Sequence, residues 1–158
     1  MSGIEMKMHE RYMAEALKLA REAGRCGEVP VGCVVVCEGK IISRGMNTVE
    51  KDKNALKHAE MNALEEAIKV KGQRVLRDCD MYVTLEPCPM CAGAIQNCGI
   101  KKLLFGAYDE EKGACLSKWN VTDSRTLVYG GILKDDCEKA LREFFDRLRG
   151  KTRGACDE

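Results

Sequence analysis

One imidazole and two thiols stand at metal-ligand spacing in this chain: His58 in His58-Ala59-Glu60 and, thirty residues on, Cys88 and Cys91 in Glu86-Pro87-Cys88-Pro89-Met90-Cys91. Three such ligands leave the fourth corner of a zinc tetrahedron open for water, the arrangement of a catalytic site. Bound zinc lowers the pKa of that water to about 7. Glu60 lies two residues past the histidine, placed to handle the water's protons without binding the metal. A structural site would close the tetrahedron with a fourth Cys or His. The chain has ten cysteines, but no second C-x-x-C pair, and its only other histidine, His9, falls in a helical segment.

H-x-E followed by P-C-x-x-C is the pattern of zinc-dependent deaminases. The chemistry is attack of water on an amidine carbon, C6 of adenine or C4 of cytosine, followed by loss of ammonia. One carboxylate can take the water's proton, pass it to a ring nitrogen and later protonate the leaving amine. Glu60 is the candidate for all three transfers. The plainer reading of Glu60 is a first-turn glutamate complementing a helix dipole.

Both motifs sit at helix starts. Met61, Leu64, Ala67 and Ile68 recur at helical spacing after His58, and Pro87 and Pro89 introduce a run through Ala94 and Ile95. Thiolates at Cys88 and Cys91 are favoured by a helix N-terminus. Strands must deliver these helices. Val31–Val36 is a near-continuous apolar run, and Glu38-Gly39 predicts a two-residue hairpin turn into Ile41–Gly45. Residues 48–57 read as a polar loop. Met81–Leu85 is a third strand leading to Cys88, Lys102–Ala107 a fourth, parallel to it across a helix, and Leu127–Tyr129 a short fifth. Helices are predicted over 8–25 and over 135–149, where Cys137, Ala140, Leu141, Phe144, Phe145 and Leu148 form the apolar stripe. The expected architecture is an α/β, three-layer α/β/α sandwich around a mixed five-stranded sheet.

At 158 residues the chain is expected to be one domain, with its core over about 6–150 and a short basic and polar tail. The segment 1–25 lacks the apolar stretch of a signal peptide, and no apolar run approaches a membrane span. The cysteines therefore read as reduced, mostly buried residues of a cytoplasmic protein. A net charge of +1 neither announces nor excludes a nucleic-acid partner.

Other candidates carry a plainer reading beside the functional one. Asn47, at a strand end, is a base or ribose contact or a turn residue. Glu86 is an orienting carboxylate or a loop acid. Asp109, just past a strand, is a ligand contact or a solvated aspartate. Val31, Ala59 and Pro87, beside the motifs, complete the candidate substrate contacts. Phe145, Arg147, Arg149 and Lys112 are candidate nucleic-acid contacts, although Phe144-Phe145 fits core packing and the run Arg147, Arg149, Lys151, Arg153 fits ordinary complementation of a helix C-terminus.

The strings Glu28-Val29-Pro30-Val31-Gly32, His58-Ala59-Glu60-Met61, Tyr82 through Ile95, Phe105-Gly106-Ala107, Gly131-Ile132-Leu133 and Phe144-Phe145 with its trailing arginines resemble the bacterial tRNA adenosine deaminase family. That family lies within the cytidine-deaminase-like superfamily. The resemblance runs over residues 6 to 150 or so. It implies the superfamily fold and one zinc per subunit held by His58, Cys88 and Cys91. It also implies Glu60 as proton shuttle, a homodimer, and conversion of adenosine to inosine at the wobble position of a tRNA anticodon. Asn47 and Asp109 match family positions near the bound nucleotide. The chain departs from the family pattern at Lys57, at Tyr108 where an arginine or other polar residue is expected, and in a shorter 117–125 segment without an Asn-His pair. These departures keep open a metabolic deaminase of a free base or nucleoside, such as cytosine or guanine. A non-catalytic zinc-bearing subunit is a third reading, against which the intact Glu60 argues.

Overall fold

The computed structural model describes residues 1–156, with side chains through Lys151, so Arg153 and Cys156 of the tail lie outside the described side chains. Its elements run α1 (Gly3–Arg25), β1 (Gly32–Cys37), β2 (Lys40–Met46), α2 (Val49–Asp52), α3 (Ala59–Lys71), β3 (Cys79–Leu85), α4 (Pro89–Cys98), β4 (Lys102–Ala107), β5 (Leu127–Tyr129) and α5 (Lys134–Cys156). The sheet order is β2-β1-β3-β4-β5. β1 is antiparallel to both of its neighbours, while β3, β4 and β5 are mutually parallel, so the sheet is mixed as expected.

Strand alternation sorts the core into two layers. Val35, Met81, Val83, Leu103 and Phe105 point to the face covered by α3 and α4, where Ala63, Ala67, Ala92 and Ile95 pack. Val34, Tyr82 and Leu104 point the other way, onto Met13, Ala16 and Leu17 of α1 and Cys137 and Ala140 of α5. Both faces of β1 are thus covered, which is why its sequence is apolar throughout. The hairpin turn has φ of 51° at Glu38 and 76° at Gly39, the left-handed pair that a tight antiparallel hairpin needs.

Beyond shifts of one or two residues at strand ends, three differences from the expected elements stand out. Helix α1 starts five residues earlier, because Ser2 and Glu5 form a reciprocal capping box that satisfies two orphan amides. The 48–57 segment contains the short helix α2, whose first amides donate to the buried carboxylate of Glu28: Glu50 N–H at 2.7 Å and Lys51 N–H at 3.5 Å. Helix α5 runs on to Cys156. No helix among the described residues is long and apolar enough to cross a membrane.

Candidate active site

The first residues of β1, the end of β2 and the C-terminal ends of β3 and β4 meet at one edge of the sheet, and the two motif helices begin there. His58 is the N-cap residue of α3 and Cys88 that of α4, with Cys91 in the first turn of α4. Two segments thirty residues apart in sequence are thereby brought within bonding reach. His58 Nδ1 lies 3.7 Å from Cys88 Sγ and 3.5 Å from Cys91 Sγ. A zinc ion with bonds of about 2.05 Å to nitrogen and 2.3 Å to sulfur at tetrahedral angles would hold those atoms about 3.6 Å apart. The donor set and its spacing fit zinc.

The neighbours in this cluster shift one another's proton affinities in opposite directions. The Cys88 thiol is pulled down to about 4 by hydrogen bonding with Cys91 and His58, against its burial. The Cys91 thiol is pushed well up by its hydrogen bond with Cys88, by burial and by the charge of Glu60. His58 is raised by its hydrogen bond to Cys88. Glu60, 4% exposed, is pushed above the ordinary carboxylate range by burial.

His58, Glu60 and Cys88 open onto a cavity of about 470 Å³, with Cys91 buried behind them. Val29, Val31, Leu85, Leu141, Tyr108 and Phe145 supply its apolar wall, Asn47, His58, Glu60, Glu86 and Cys88 its polar side, and the segment from Asp109 to Lys112 its rim. The volume and the mixture of an apolar wall with a few convergent polar groups suit a single nucleobase with part of its sugar.

Asn47 works partly for the scaffold. Its Oδ1 accepts from Ala59 N–H at 3.0 Å, capping the helix that carries Glu60, so the NH2 group is what it can offer the cavity. Asp109 likewise accepts from Glu111 and Lys112 N–H through Oδ1, closing its own turn at the rim. Ala59 and Pro87 do not line the cavity: both are buried, the Ala59 amide is taken by Asn47, and the Pro87 carbonyl accepts from Ala114 N–H at 2.9 Å.

The acid whose sequence reading stayed undecided, Glu86, is a buried hub at 2% exposure. Its Oε2 accepts from the amides of Cys115 at 3.2 Å, Leu116 at 2.8 Å and Ser117 at 2.9 Å. Its Oε1 accepts from Asp109 N–H at 3.1 Å and from the Ser117 hydroxyl. Burial alone would raise its pKa, but these donors hold it below the ordinary value. One carboxylate therefore fixes the whole loop that forms the rim. Nothing local in Glu86-Pro87 could have announced this, since its partners lie 23 to 31 residues away.

The basic tail and the cavity are separate. Arg147 and Lys151 line a different surface depression with Arg25 and Phe144, and Arg149 pairs with Asp146. Phe145 departs from the expected core packing: it is 38% exposed and faces the cavity, while its T-shaped neighbour Phe144 lies on the other side of α5. Two adjacent residues on a helix point about 100° apart, so only one of them can follow the buried stripe.

Comparison with known proteins bears on this geometry. The cytidine and deoxycytidylate deaminase zinc-binding region matches residues 6–107. The chain is 40% identical over 155 residues to the tRNA-specific adenosine deaminase of Bacillus subtilis, covering 95% of this chain and 96% of that protein. It is likewise 40% identical to the tRNA-specific adenosine deaminase of Aquifex aeolicus, covering 89% of this chain and 95% of that one. Among solved structures, it is similar to one from a study of A-to-I editing by tRNA:A34 deaminases at the wobble position of transfer RNA. The TM-score is 0.79 at 36% identity, covering 83% of this chain and 99% of that one. A guanine deaminase from Bacillus subtilis is also similar, with a TM-score of 0.61 at 39% identity, covering 63% of this chain and 64% of that one.

Proposed function

The chain belongs to the tRNA-specific adenosine deaminases, within the zinc-binding cytidine and deoxycytidylate deaminase family, and on that premise we propose that it converts adenosine to inosine at the wobble position of a tRNA anticodon, releasing ammonia. The observation that carries the reading is a buried carboxylate, Glu60, beside a His58–Cys88–Cys91 donor set of zinc dimensions, inside a cavity sized for one nucleoside.

His58, Cys88 and Cys91 would hold one zinc per subunit. When bound, zinc supplies the Lewis acid that makes water nucleophilic at neutral pH. The remaining work falls to the chain's own side chains. Glu60, with its affinity for protons raised by burial, takes a proton from the attacking water and delivers it to N1 of the base, then takes the second proton from the hydroxyl of the tetrahedral adduct and passes it to the departing amine. Water and the amidine thus become a lactam and ammonia, with no net change in Glu60. Val31 and Leu85 present apolar surface to the base, and the Asn47 NH2 donates to it or to its ribose. Glu86 holds the loop that carries Asp109 and Lys112 at the mouth, where Phe145 offers a face to a neighbouring base. Arg147 and Arg149, away from the cavity, are placed for phosphates of the anticodon arm. The same reading takes residues 1–158 as one deaminase domain with its core over about 6–150, acting as a cytoplasmic homodimer.

A deaminase of a free base or nucleoside is the competing reading. One observation favours it: the rim carries Asp109, Glu110 and Glu111 against Lys112 as the lining's single lysine, a weak surface for phosphates.

The deciding experiment offers zinc-loaded protein an anticodon stem-loop with adenosine at the wobble position, beside free adenosine, cytidine, cytosine and guanine. Inosine formed in the stem-loop, with a KM that rises steeply with salt, is the expected result. Turnover of a free base or nucleoside alone would overturn the tRNA assignment.

A further inference from the structure

Two clusters among the described residues bring three metal-ligating atoms within 4.8 Å of one another: the candidate active site, and Cys37 with Asp78 and Cys79. The second cluster lies at the opposite end of the sheet. Cys37 closes β1, Cys79 opens β3, and the two are directly paired across the antiparallel ladder, so strand geometry fixes their separation. Asp78 immediately precedes β3 and turns its carboxylate to both: Oδ2 lies 3.2 Å from Cys37 Sγ and Oδ1 3.5 Å from Cys79 Sγ.

A positive charge is already seated there. Lys71, the last residue of α3, places Nζ 2.7 Å from Asp78 Oδ2 and 3.4 Å from Cys37 Sγ. The thiols are 6% and 0% exposed, while Asp78 is exposed and gives access from solvent. Sulfur and carboxylate oxygen bound to one zinc at tetrahedral angles stand about 3.6 Å apart, close to what the two contacts require.

We propose that Cys37, Cys79 and Asp78 form a second metal site, specific for a soft divalent cation such as zinc or cadmium and separate from the deaminase centre. Two sulfur ligands select against magnesium and calcium. On binding, each thiol gives its proton to solvent, and the ion takes the position between sulfur and carboxylate that the Lys71 ammonium now shares. Two thiolates, one carboxylate, the divalent ion and a retained Lys71 sum to zero charge, so the site needs no further counter-ion. It would tie the end of β1 to the start of β3 beneath the C-terminus of α3.

Cadmium titration of the reduced full-length chain tests this, read by metal analysis and by thiolate-to-cadmium absorption. Two equivalents per chain are expected. Asp78→Asn, a change at an exposed side chain, and Cys37→Ser should each leave one. Lys71→Ala should tighten the second equivalent by up to about fivefold, the size of a surface ion pair that no longer competes. In a chain carrying Cys88→Ala and Cys91→Ala, one equivalent should remain and be lost on adding Asp78→Asn, which separates this site from the deaminase reading. A single equivalent in the unaltered chain, or a second that survives both Asp78→Asn and Cys37→Ser, overturns the proposal.

Discussion

Glu86 and Gly113 are in such close contact that a Cβ on residue 113 would stand 2.5 Å from the Glu86 carboxyl carbon. The glycine is what lets the chain between Asp109 and Ser117 wrap a single buried carboxylate, and the carboxylate in turn satisfies the amides that the wrap exposes. Glu86→Gln turns an NH2 group toward donors on one side or the other, whichever way it rotates. It is expected to cost about 2–4 kcal/mol, the scale of a buried charged acceptor lost from its partners. Hydrogen exchange at the Leu116 and Ser117 amides should quicken more than exchange in β3. Unchanged protection in the variant would show that the loop stands without Glu86.

Glu60→Ala should keep the metal and lose turnover. A general acid–base group contributes about 10²–10⁴-fold, so activity should fall at least that far while zinc content per chain stays at the parent value. Cys88→Ala should lose both together, and a chelator should reproduce that loss in the parent protein, with zinc restoring it. Near-parental turnover by Glu60→Ala would remove its assignment as the shuttle.

Gly45, on β2, lies under the helix that carries the site. An added Cβ would meet Ala59 O at 2.4 Å and Ala63 N at 2.6 Å. Gly45→Ala must push α3 off the sheet, with a cost of about 1–3 kcal/mol by the measure of overpacked cores. Because α3 carries His58 and Glu60, kcat should fall along with the denaturation midpoint. A loss of stability with kcat intact would mean that the strain is absorbed elsewhere.

His9 is a buried histidine on α1, with Nδ1 2.6 Å from the Tyr82 hydroxyl. Burial, and then the charge of Lys102, lower its pKa, against weaker raising by Asp80 and Glu5. The folded state therefore releases the proton more readily than the unfolded chain, whose histidine titrates near about 6.5. Its contribution to stability is present above that value and lost as pH falls through the folded pKa. Urea midpoints should drop between about pH 7.5 and about pH 5.5, and His9→Gln, which preserves a partner for Tyr82, should drop less. Equal slopes for the two proteins at matched metal content would show that His9 titrates alike in the folded and unfolded states.

Much of this molecule is legible in the sequence because the signals are local. A tight hairpin needs positive φ at two adjacent residues, and Glu38-Gly39 announces it. Strands covered on both faces must be apolar throughout, and β1 is. His58 and Cys88 stand immediately before helical runs, so their placement as N-caps follows from the chain on either side. Even the early start of α1 was present in Ser2 and Glu5, as a capping box. The ligand types and their spacing thus determined the chemistry of the site. Tertiary structure alone decided the rest. Glu86 became the hub of the rim, Asn47 gave its oxygen to Ala59, Phe145 turned to the cavity while Phe144 did not, and Cys37 came to face Cys79. Each of these depends on strand register or helix rotation between segments far apart in sequence, and no local preference encodes such a pairing until the sheet and its covering helices have closed around it.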